Sequence, residues 1–227
     1  MDTQEILDRV QSGDCGYSWG EVTSEHNGHV ARFYVFEDAL KLDGVRVNVS
    51  AALEQRIADL LDASLLTAKL ADLVWEQSAI QVGPKPQTVV NGVVPSSYAS
   101  TVKHSTAIDK EIAGRTGMVQ SVGKHWILTN KIAANGLAAN YGWHFTGATY
   151  QGMRGEVSVT GNGRVLQGIG TRHNSAHADY SQTCVLVHSD CMLDDMQVRL
   201  SDLLSSPEYW PLVSHEGIIK VLRQPGV

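Results

Sequence analysis

Long apolar runs, clustered basic residues and paired cysteines are all missing from this sequence. No apolar run approaches the roughly 20 residues that cross a bilayer. The acidic start Met1-Asp-Thr-Gln-Glu5 has neither the basic head nor the apolar body of a signal peptide. We therefore expect no membrane insertion, and a protein that stays in the cytoplasm in which it is made.

The scarcity of positive charge and of cysteine excludes two further classes. The 18 Lys and Arg residues are scattered singly, and the formal net charge is -6, so no nucleic-acid partner is expected. The three cysteines, Cys15, Cys184 and Cys191, are an odd number without CxxC spacing. Neither a disulfide framework nor a cysteine metal site is indicated.

The composition is that of an ordinary globular chain. With 227 residues, 43% of them apolar and 19% charged, the chain can form one large domain or two small ones. Oligomeric state cannot be read from such values.

The first part of the chain has the pattern of hairpins packed on a pair of helices. Residues 19–49 alternate in polarity, and Asp43-Gly44 is a turn signal. Ser50 and Thr67 are the expected N-caps of two helices with apolar faces. We expect an N-terminal α+β unit over residues 1–82.

The rest of the chain is rich in turn residues. Residues 83–106 hold three of the six prolines and no helical period, which predicts a loop or linker. Residues 107–227 predict a glycine-rich β domain, either an antiparallel sheet or a small barrel, with a closing helix over residues 194–204 before Pro207. Asn162-Gly163 predicts a two-residue hairpin turn. The fold class is α+β, in two domains or in one.

Polar, chemically active side chains are concentrated in residues 171–184, between two strand-like runs. Polar loops on a rigid sheet are typical of active sites. The candidate catalytic residues are His144, His173, Asp179, Tyr180, Ser181 and Cys184.

One interpretation of this segment is a metal site. His173, His177 and Asp179, with His144 from a neighbouring strand, have the donor atoms that zinc prefers. The alternative is that these histidines are surface or hydrogen-bonded structural groups.

A second interpretation is nucleophilic catalysis by Cys184, with His173 or His144 as base. Ser181-Gln-Thr-Cys-Val-Leu-Val187 resembles the Ser-His-Gly-Cys-Ile-Arg-Met signature of L,D-transpeptidases, and this resemblance implies a nucleophilic Cys184. The chain departs from the signature at Gln182, Thr183 and Leu186. The alternative is that Cys184 is a small buried hydrophobic residue.

Most of the chain also resembles a group of uncharacterised proteins of bacteria and tailed phages. The resemblance is carried by Asp43-Gly-Val-Arg-Val-Asn-Val-Ser50, Tyr141-Gly-Trp-His144 and Asp179-Tyr-Ser181. It implies a bacterial host cell, with a bacterial or a phage gene. Some members have no cysteine at the position of Cys184, which moves the expectation toward the histidines, Asp179, Tyr180 and Ser181.

The function expected first is hydrolysis of a polar polymer, such as the peptide or glycan of bacterial peptidoglycan, by a His/Asp centre. The centre would work with zinc or by acid–base chemistry, with Tyr180 or Ser181 stabilising an oxyanion. The aromatic residues near Trp126 and Trp143 would form a substrate wall or simply pack in the core. The alternatives are a non-catalytic phage or bacterial structural or binding protein, and an L,D-transpeptidase-like cysteine enzyme.

Overall fold

A computed structural model describes residues 2–89, 91–132, 136–147, 150–225 and 227. The helices are α1 (Thr3–Ser12), α2 (Ala51–Leu60), α3 (Ala68–Gln77), α4 (Tyr98–Ile112), α5 (Leu200–Ser205) and α6 (Trp210–Val213). The strands are β1 (Trp19–His26), β2 (His29–Phe36), β3 (Lys41–Leu42), β4 (Val45–Arg46), β5 (Ala63–Thr67), β6 (Ile80–Gln81), β7 (Val119–Gln120), β8 (Lys124–Leu128), β9 (Leu137–Phe145), β10 (Glu156–Val157), β11 (Arg164–Asn174), β12 (Leu186–Leu193) and β13 (Met196–Arg199). Helices and a mixed sheet agree with the predicted α+β class.

Nine strands form one sheet in the order β1-β2-β12-β5-β8-β9-β11-β10, with β13 beside β12. The pair β5–β8 is parallel, and the other pairs are antiparallel. Within the described residues, no pairing joins the two end strands β1 and β10. These pairings describe an open sheet, and the predicted small barrel is not confirmed.

The sheet draws strands from both of the units predicted from the sequence. Strands β1, β2 and β5 come from residues 1–82, and β12, from the last part of the chain, lies between β2 and β5. The division at residues 83–106 stays a prediction, as does its one-domain alternative.

The predicted helix caps of the first part are confirmed. The Ser50 hydroxyl accepts a hydrogen bond from the Leu53 N–H at 3.2 Å, and Thr67 Oγ1 accepts one from the Leu70 N–H at 3.1 Å. Each bond satisfies one of the amide groups that a helix leaves unpaired at its start. The two caps fix the starts of α2, which precedes the central strand β5, and of α3, which follows it.

Helix α4 begins inside the stretch predicted to be a loop. Ser97 caps it by accepting from the Ser100 N–H at 3.2 Å. Its buried positions are Thr101, His104, Ser105 and Ile108, so the inner face is mostly polar and has no apolar period. The pattern that identifies an amphipathic helix was therefore absent.

Two local predictions in the second half of the chain, one of a helix and one of a turn, are wrong in detail. The start of the predicted closing helix is instead a turn at Asp194 and Asp195, both with positive φ, followed by β13; the helix itself begins at Leu200. Strands β10 and β11 do pair, but six residues join them, and the positive φ falls on Gly161 and not on Asn162-Gly163. No helix in the described part of the chain is long and apolar enough to cross a bilayer.

Candidate functional site

The polar segment between β11 and β12 is fixed to the sheet by backbone hydrogen bonds. The Lys124 N–H donates to the Ser181 carbonyl at 2.7 Å, and the Val49 N–H donates to the Gln182 carbonyl at 2.9 Å. Gly123 permits this approach, because a Cβ there would lie 2.4 Å from the Ser181 oxygen. The segment therefore has a fixed position beside the start of β8.

The Tyr141-Gly-Trp-His144 motif is an irregularity in strand β9. Gly142 has φ 104° and Trp143 has φ 59°, so regular side-chain alternation is broken. Tyr141 and His144, three positions apart, therefore both contact Asp72 of α3. Trp143 points elsewhere, toward Tyr180 and Lys124. The motif separates two groups of polar residues.

The first group, which we call the His-Asp-Lys cluster, consists of His173, His177, Asp179 and Lys124. The two imidazole rings stack, with centroids 4.8 Å apart and planes 14° apart. Asp179 Oδ2 lies 3.7 Å from His177 Nε2 and 3.5 Å from Lys124 Nζ. The structure thus brings three predicted residues together with a lysine.

Asp179 is the buried anchor of this cluster. Burial alone would raise the pKa of its carboxyl group. Lys124, two hydrogen bonds from Ser181 and the nearby His177 outweigh that effect, and the pKa is lowered. The Ser181 hydroxyl and N–H donate to Asp179 Oδ1 at 2.5 and 2.8 Å. The carboxylate is therefore ionised at neutral pH.

The two histidines are the solvent-reaching part of the cluster. The His177 side chain is 38% exposed, and His173 is half-buried with its ring edge-on to Trp126. Partial burial, followed by His177 and Lys124, lowers the pKa of His173. His173 is therefore a neutral imidazole at pH 7, which is the form that accepts a proton.

Tyr180 and Ser181 have structural partners. The buried Tyr180 hydroxyl accepts a hydrogen bond from the Gln87 N–H at 2.6 Å, and its ring packs edge-on against His104 and Trp143. Burial raises the pKa of this hydroxyl. The Ser181 hydroxyl donates a hydrogen bond to the Asp179 carboxylate. Both side chains hold the segment in place.

Cys184 lies outside this cluster, in the core. It is fully buried, and burial, together with the adjacent Glu54, raises the pKa of its thiol well above the usual value. Burial also raises the pKa of Glu54, which accepts from the Val185 N–H at 3.1 Å. A thiolate nucleophile needs exposure and a lowered pKa. The interpretation of Cys184 as a buried small side chain describes this environment better.

The second group surrounds His144, which is fully buried. Its Nε2 lies 2.6 Å from Asp72 Oδ1, and its ring stacks on Trp75 at 5.0 Å. Asp72 also accepts from the Tyr141 hydroxyl at 2.8 Å and from the Thr160 N–H at 2.9 Å. The group ties α3 to β9 and to the loop before β11.

The register of β9 and β11 separates the two groups. His144 pairs with Val165, whereas His173 pairs with Ala138, six residues further back along β9. At about 3.3 Å per residue this is roughly 20 Å. The centre expected from His144, His173 and Asp179 together is therefore not assembled, and His144 instead belongs with Asp72.

A zinc ion could be bound only by the His-Asp-Lys cluster, because His144 lies far from it. Its donors would be His173, His177 and Asp179, but the stacked imidazoles lie face to face, and no group of three potential ligands converges within the described ranges. Ligand atoms must meet at about 2 Å from an ion. The side chains in their present positions do not fit a zinc ion, and the cofactor stays a prediction.

The predicted aromatic wall is part of the core. Trp126 is fully buried and donates its indole N–H to the Val49 carbonyl at 2.9 Å, and Trp143 is 4% exposed.

Sequence reasoning missed Asp72 as a partner of His144, because Asp72 occupies an ordinary position on an amphipathic helix. It also missed the ion pair of Lys124, whose partner is 55 residues away.

The fold and this geometry define an α+β protein with a half-buried His-Asp-Lys cluster next to strands β8 and β11 of a mixed sheet. No family model matches the chain, and neither a curated protein nor a solved structure shows significant similarity to it. The resemblances named from the sequence therefore stay predictions.

Proposed function

We propose that the protein is a hydrolase of a polar polymer, such as the peptide or glycan part of bacterial peptidoglycan, and that the His-Asp-Lys cluster performs acid–base catalysis. The observation that carries this proposal is the stacked pair of solvent-reaching imidazoles beside a buried, ionised carboxylate. Groups of this kind transfer protons near neutral pH.

The two histidines would have different roles. His173, whose pKa is lowered, would accept a proton from the attacking water. His177, whose Nε2 lies 3.7 Å from Asp179 Oδ2, would donate a proton to the leaving group. Lys124 keeps Asp179 ionised, and Ser181 fixes its orientation.

The test is digestion of purified peptidoglycan sacculi by the whole protein, with release of soluble fragments as the readout. We expect His173→Gln and His177→Gln to lower release about 100-fold or more while the melting temperature stays within a few degrees. His26→Gln, on the distant β1–β2 hairpin, is the control and should retain full activity. An inactive wild-type protein on sacculi of several compositions would refute the proposal.

A second candidate is a non-catalytic binding protein. Two observations favour it: the Ser181 hydroxyl donates its hydrogen bond to Asp179, and Cys184 is fully buried. Neither side chain is therefore free to act as a nucleophile. In that case sacculi would bind the protein without release of fragments. Asp179→Ala would lower the free energy of unfolding by about 1–3 kcal/mol, because Ser181 and Lys124 would lose their partner.

The metal version of the proposal has its own test. Removal of zinc with a chelator would abolish release of fragments if zinc took part, whereas the acid–base version predicts unchanged release and an unchanged melting temperature. Residence in the cytoplasm of a bacterial host, with a bacterial or a phage gene, remains part of the proposal.

A further inference from the structure

A second concave surface lies on another part of the sheet, formed by β1, β2, β12 and β13. This groove has a volume of about 400 Å³ and is lined by Trp19, Tyr34, His188, Asp190, Met192 and Gln197. None of these residues belongs to the His-Asp-Lys cluster. The volume is within the range of small-molecule sites.

An irregularity in strand β12 lies beside this groove. Val187 pairs with Val35 and Cys191 pairs with Phe33, so four steps along β12 correspond to two steps along β2. The extra residues lie opposite Tyr34. Bulges of this kind reorient side chains and are common beside binding sites.

Aromatic rings form one wall of the groove. Trp19 is half-buried and packs against Phe36, with ring centroids 4.7 Å apart and planes tilted by 52°. His188 lies edge-on to Trp19 at 5.3 Å, and Tyr17, 40% exposed, stacks on Phe36 at 4.8 Å. Partly exposed aromatic rings that are held by their neighbours can receive the apolar face of a ligand at little entropic cost.

The polar groups of the groove are fixed in place. His188 Nδ1 accepts from the Asp190 N–H at 2.9 Å, so the hydrogen of the neutral ring is on Nε2, which becomes a donor. The Asp190 carboxylate accepts from Gln197 at 2.9 Å and from Arg199 at 2.7 Å. Gln197 Oε1 remains an acceptor.

Two further donors have no partner within the described part of the chain. Neither the Tyr34 hydroxyl nor the Trp19 indole N–H makes a hydrogen bond to another described residue. Both side chains are partly exposed. The groove thus offers aromatic surface together with several neutral donors and acceptors.

The charge around the groove excludes an anionic ligand. Two arginines lie near the groove. Arg199 is already bound by the carboxylates of Asp190 and Asp62, and Arg32, which pairs with Met192, is bound by Asp195 at 2.8 Å. A phosphate or carboxylate would meet this negative excess without a free cation. A neutral ligand that has one apolar face and many hydroxyl groups fits the groove better.

We propose that the groove of Trp19, Tyr34, His188 and Gln197 binds a neutral pyranose glycan, with a sugar ring stacked on Trp19 and its hydroxyl groups hydrogen-bonded to Tyr34, His188 and Gln197. The proposal goes beyond the hydrolase proposal, since it depends on different residues and requires no catalysis.

The test uses the full chain and two soluble probes, a β-1,4-linked N-acetylglucosamine tetramer and cellotetraose. Binding of either probe should shift the indole N–H resonance of Trp19 in ¹⁵N spectra and leave that of the buried Trp126 unchanged. Trp19→Ala, which lacks the reporter indole and is therefore measured by isothermal titration calorimetry beside the wild type, should weaken this binding about ten-fold or more. Tyr34→Phe, which keeps the ring and removes the hydroxyl, should weaken it several-fold.

Two controls make the result decisive. Tyr98→Ala removes an exposed tyrosine far from the groove and should bind like the wild type. His173→Gln should lose hydrolysis but keep binding, so failure of one proposal is distinguishable from failure of the other. Absence of any Trp19 shift with both probes at about 10 mM, or unchanged binding by both Trp19→Ala and Tyr34→Phe, would overturn the glycan site.

Discussion

The histidines of this protein differ in their surroundings and therefore in what their side chains can do. His144 is enclosed with Asp72 and Trp75, while His173 and His177 reach solvent. The first connects α3 to β9, and the other two are the histidines that the proposed catalysis would use. Burial and partners, rather than residue type, decide which histidine can act.

Loss of Asp72 should be strongly destabilising. Asp72→Ala removes the acceptor of the Tyr141 hydroxyl, of the Thr160 N–H and of His144, and leaves buried donors unpaired. We expect the free energy of unfolding in urea to fall by about 3 kcal/mol or more. Asp8→Ala, at an exposed aspartate that is also in a helix, α1, is the matched control. Similar losses for both variants would show that the buried network contributes nothing.

Cys184 should be chemically silent in the folded protein. Its thiol is fully buried and its pKa is raised, so maleimide should not label it at pH 8 until denaturant is added. Peptide mass spectrometry after short exposure measures this. Rapid labelling of Cys184 under native conditions would restore the nucleophile interpretation.

At the scale of elements, strand β9 determines which side chains meet. Its two consecutive positive-φ residues, Gly142 and Trp143, allow Tyr141 and His144 to share Asp72. A bulky residue with positive φ inside a strand is unusual. The surrounding contacts must hold it there.

Gly142→Ala should therefore be costly. The backbone at this position has φ 104°, which side chains other than glycine rarely adopt, and an added Cβ would lie 3.2 Å from His125 Cδ2. Gly28→Ala is the matched control, because Gly28 also has positive φ but nothing lies within 4 Å. We expect a loss of about 1 kcal/mol for the control and roughly 2 kcal/mol more for Gly142→Ala in urea unfolding. Equal losses would mean that the strand relaxes freely.

Elements with a regular apolar pattern could be predicted from the sequence, and those without it could not. The caps at Ser50 and Thr67 follow from local chemistry. Helix α4 was missed because its buried face is polar, and β13 was taken for a helix because the turn at Asp194 has no glycine. In both cases tertiary partners, which the local pattern does not show, stabilise the element.

At the scale of the whole molecule, buried neutral histidines make stability depend on pH. Burial, assisted by Arg46, lowers the pKa of His104 to about 4, and burial together with His144 lowers that of His125 to about 3. In the unfolded chain both take up protons below about pH 6.5. The unfolded state binds more protons there, so stability is lost as the pH falls from about 6.5 toward 4.

His104→Gln removes one of these groups. Between pH 6 and pH 4 the stability of the variant should fall less steeply than that of the wild type, by about 1 kcal/mol per pH unit. Urea unfolding at several pH values measures the difference, and Glu54 contributes equally to both proteins. Parallel curves would mean that His104 is protonated in the folded state.

The site could be located from the sequence only in part. The polar run containing His173, His177 and Asp179 is visible as a local concentration of reactive residues. The separation of His144 depends on the strand register, and the role of Lys124 depends on a contact across the fold. Neither the register nor the contact is encoded in local spacing.

The most direct test of the central claim is the reactivity of the nine histidines toward diethyl pyrocarbonate, followed by peptide mass spectrometry. The structure predicts rapid modification of His173 and His177, and protection of His104, His125 and His144 until the protein unfolds. Modification of His144 as fast as that of His177, or protection of His173, would contradict the assignment of the His-Asp-Lys cluster as the accessible acid–base centre.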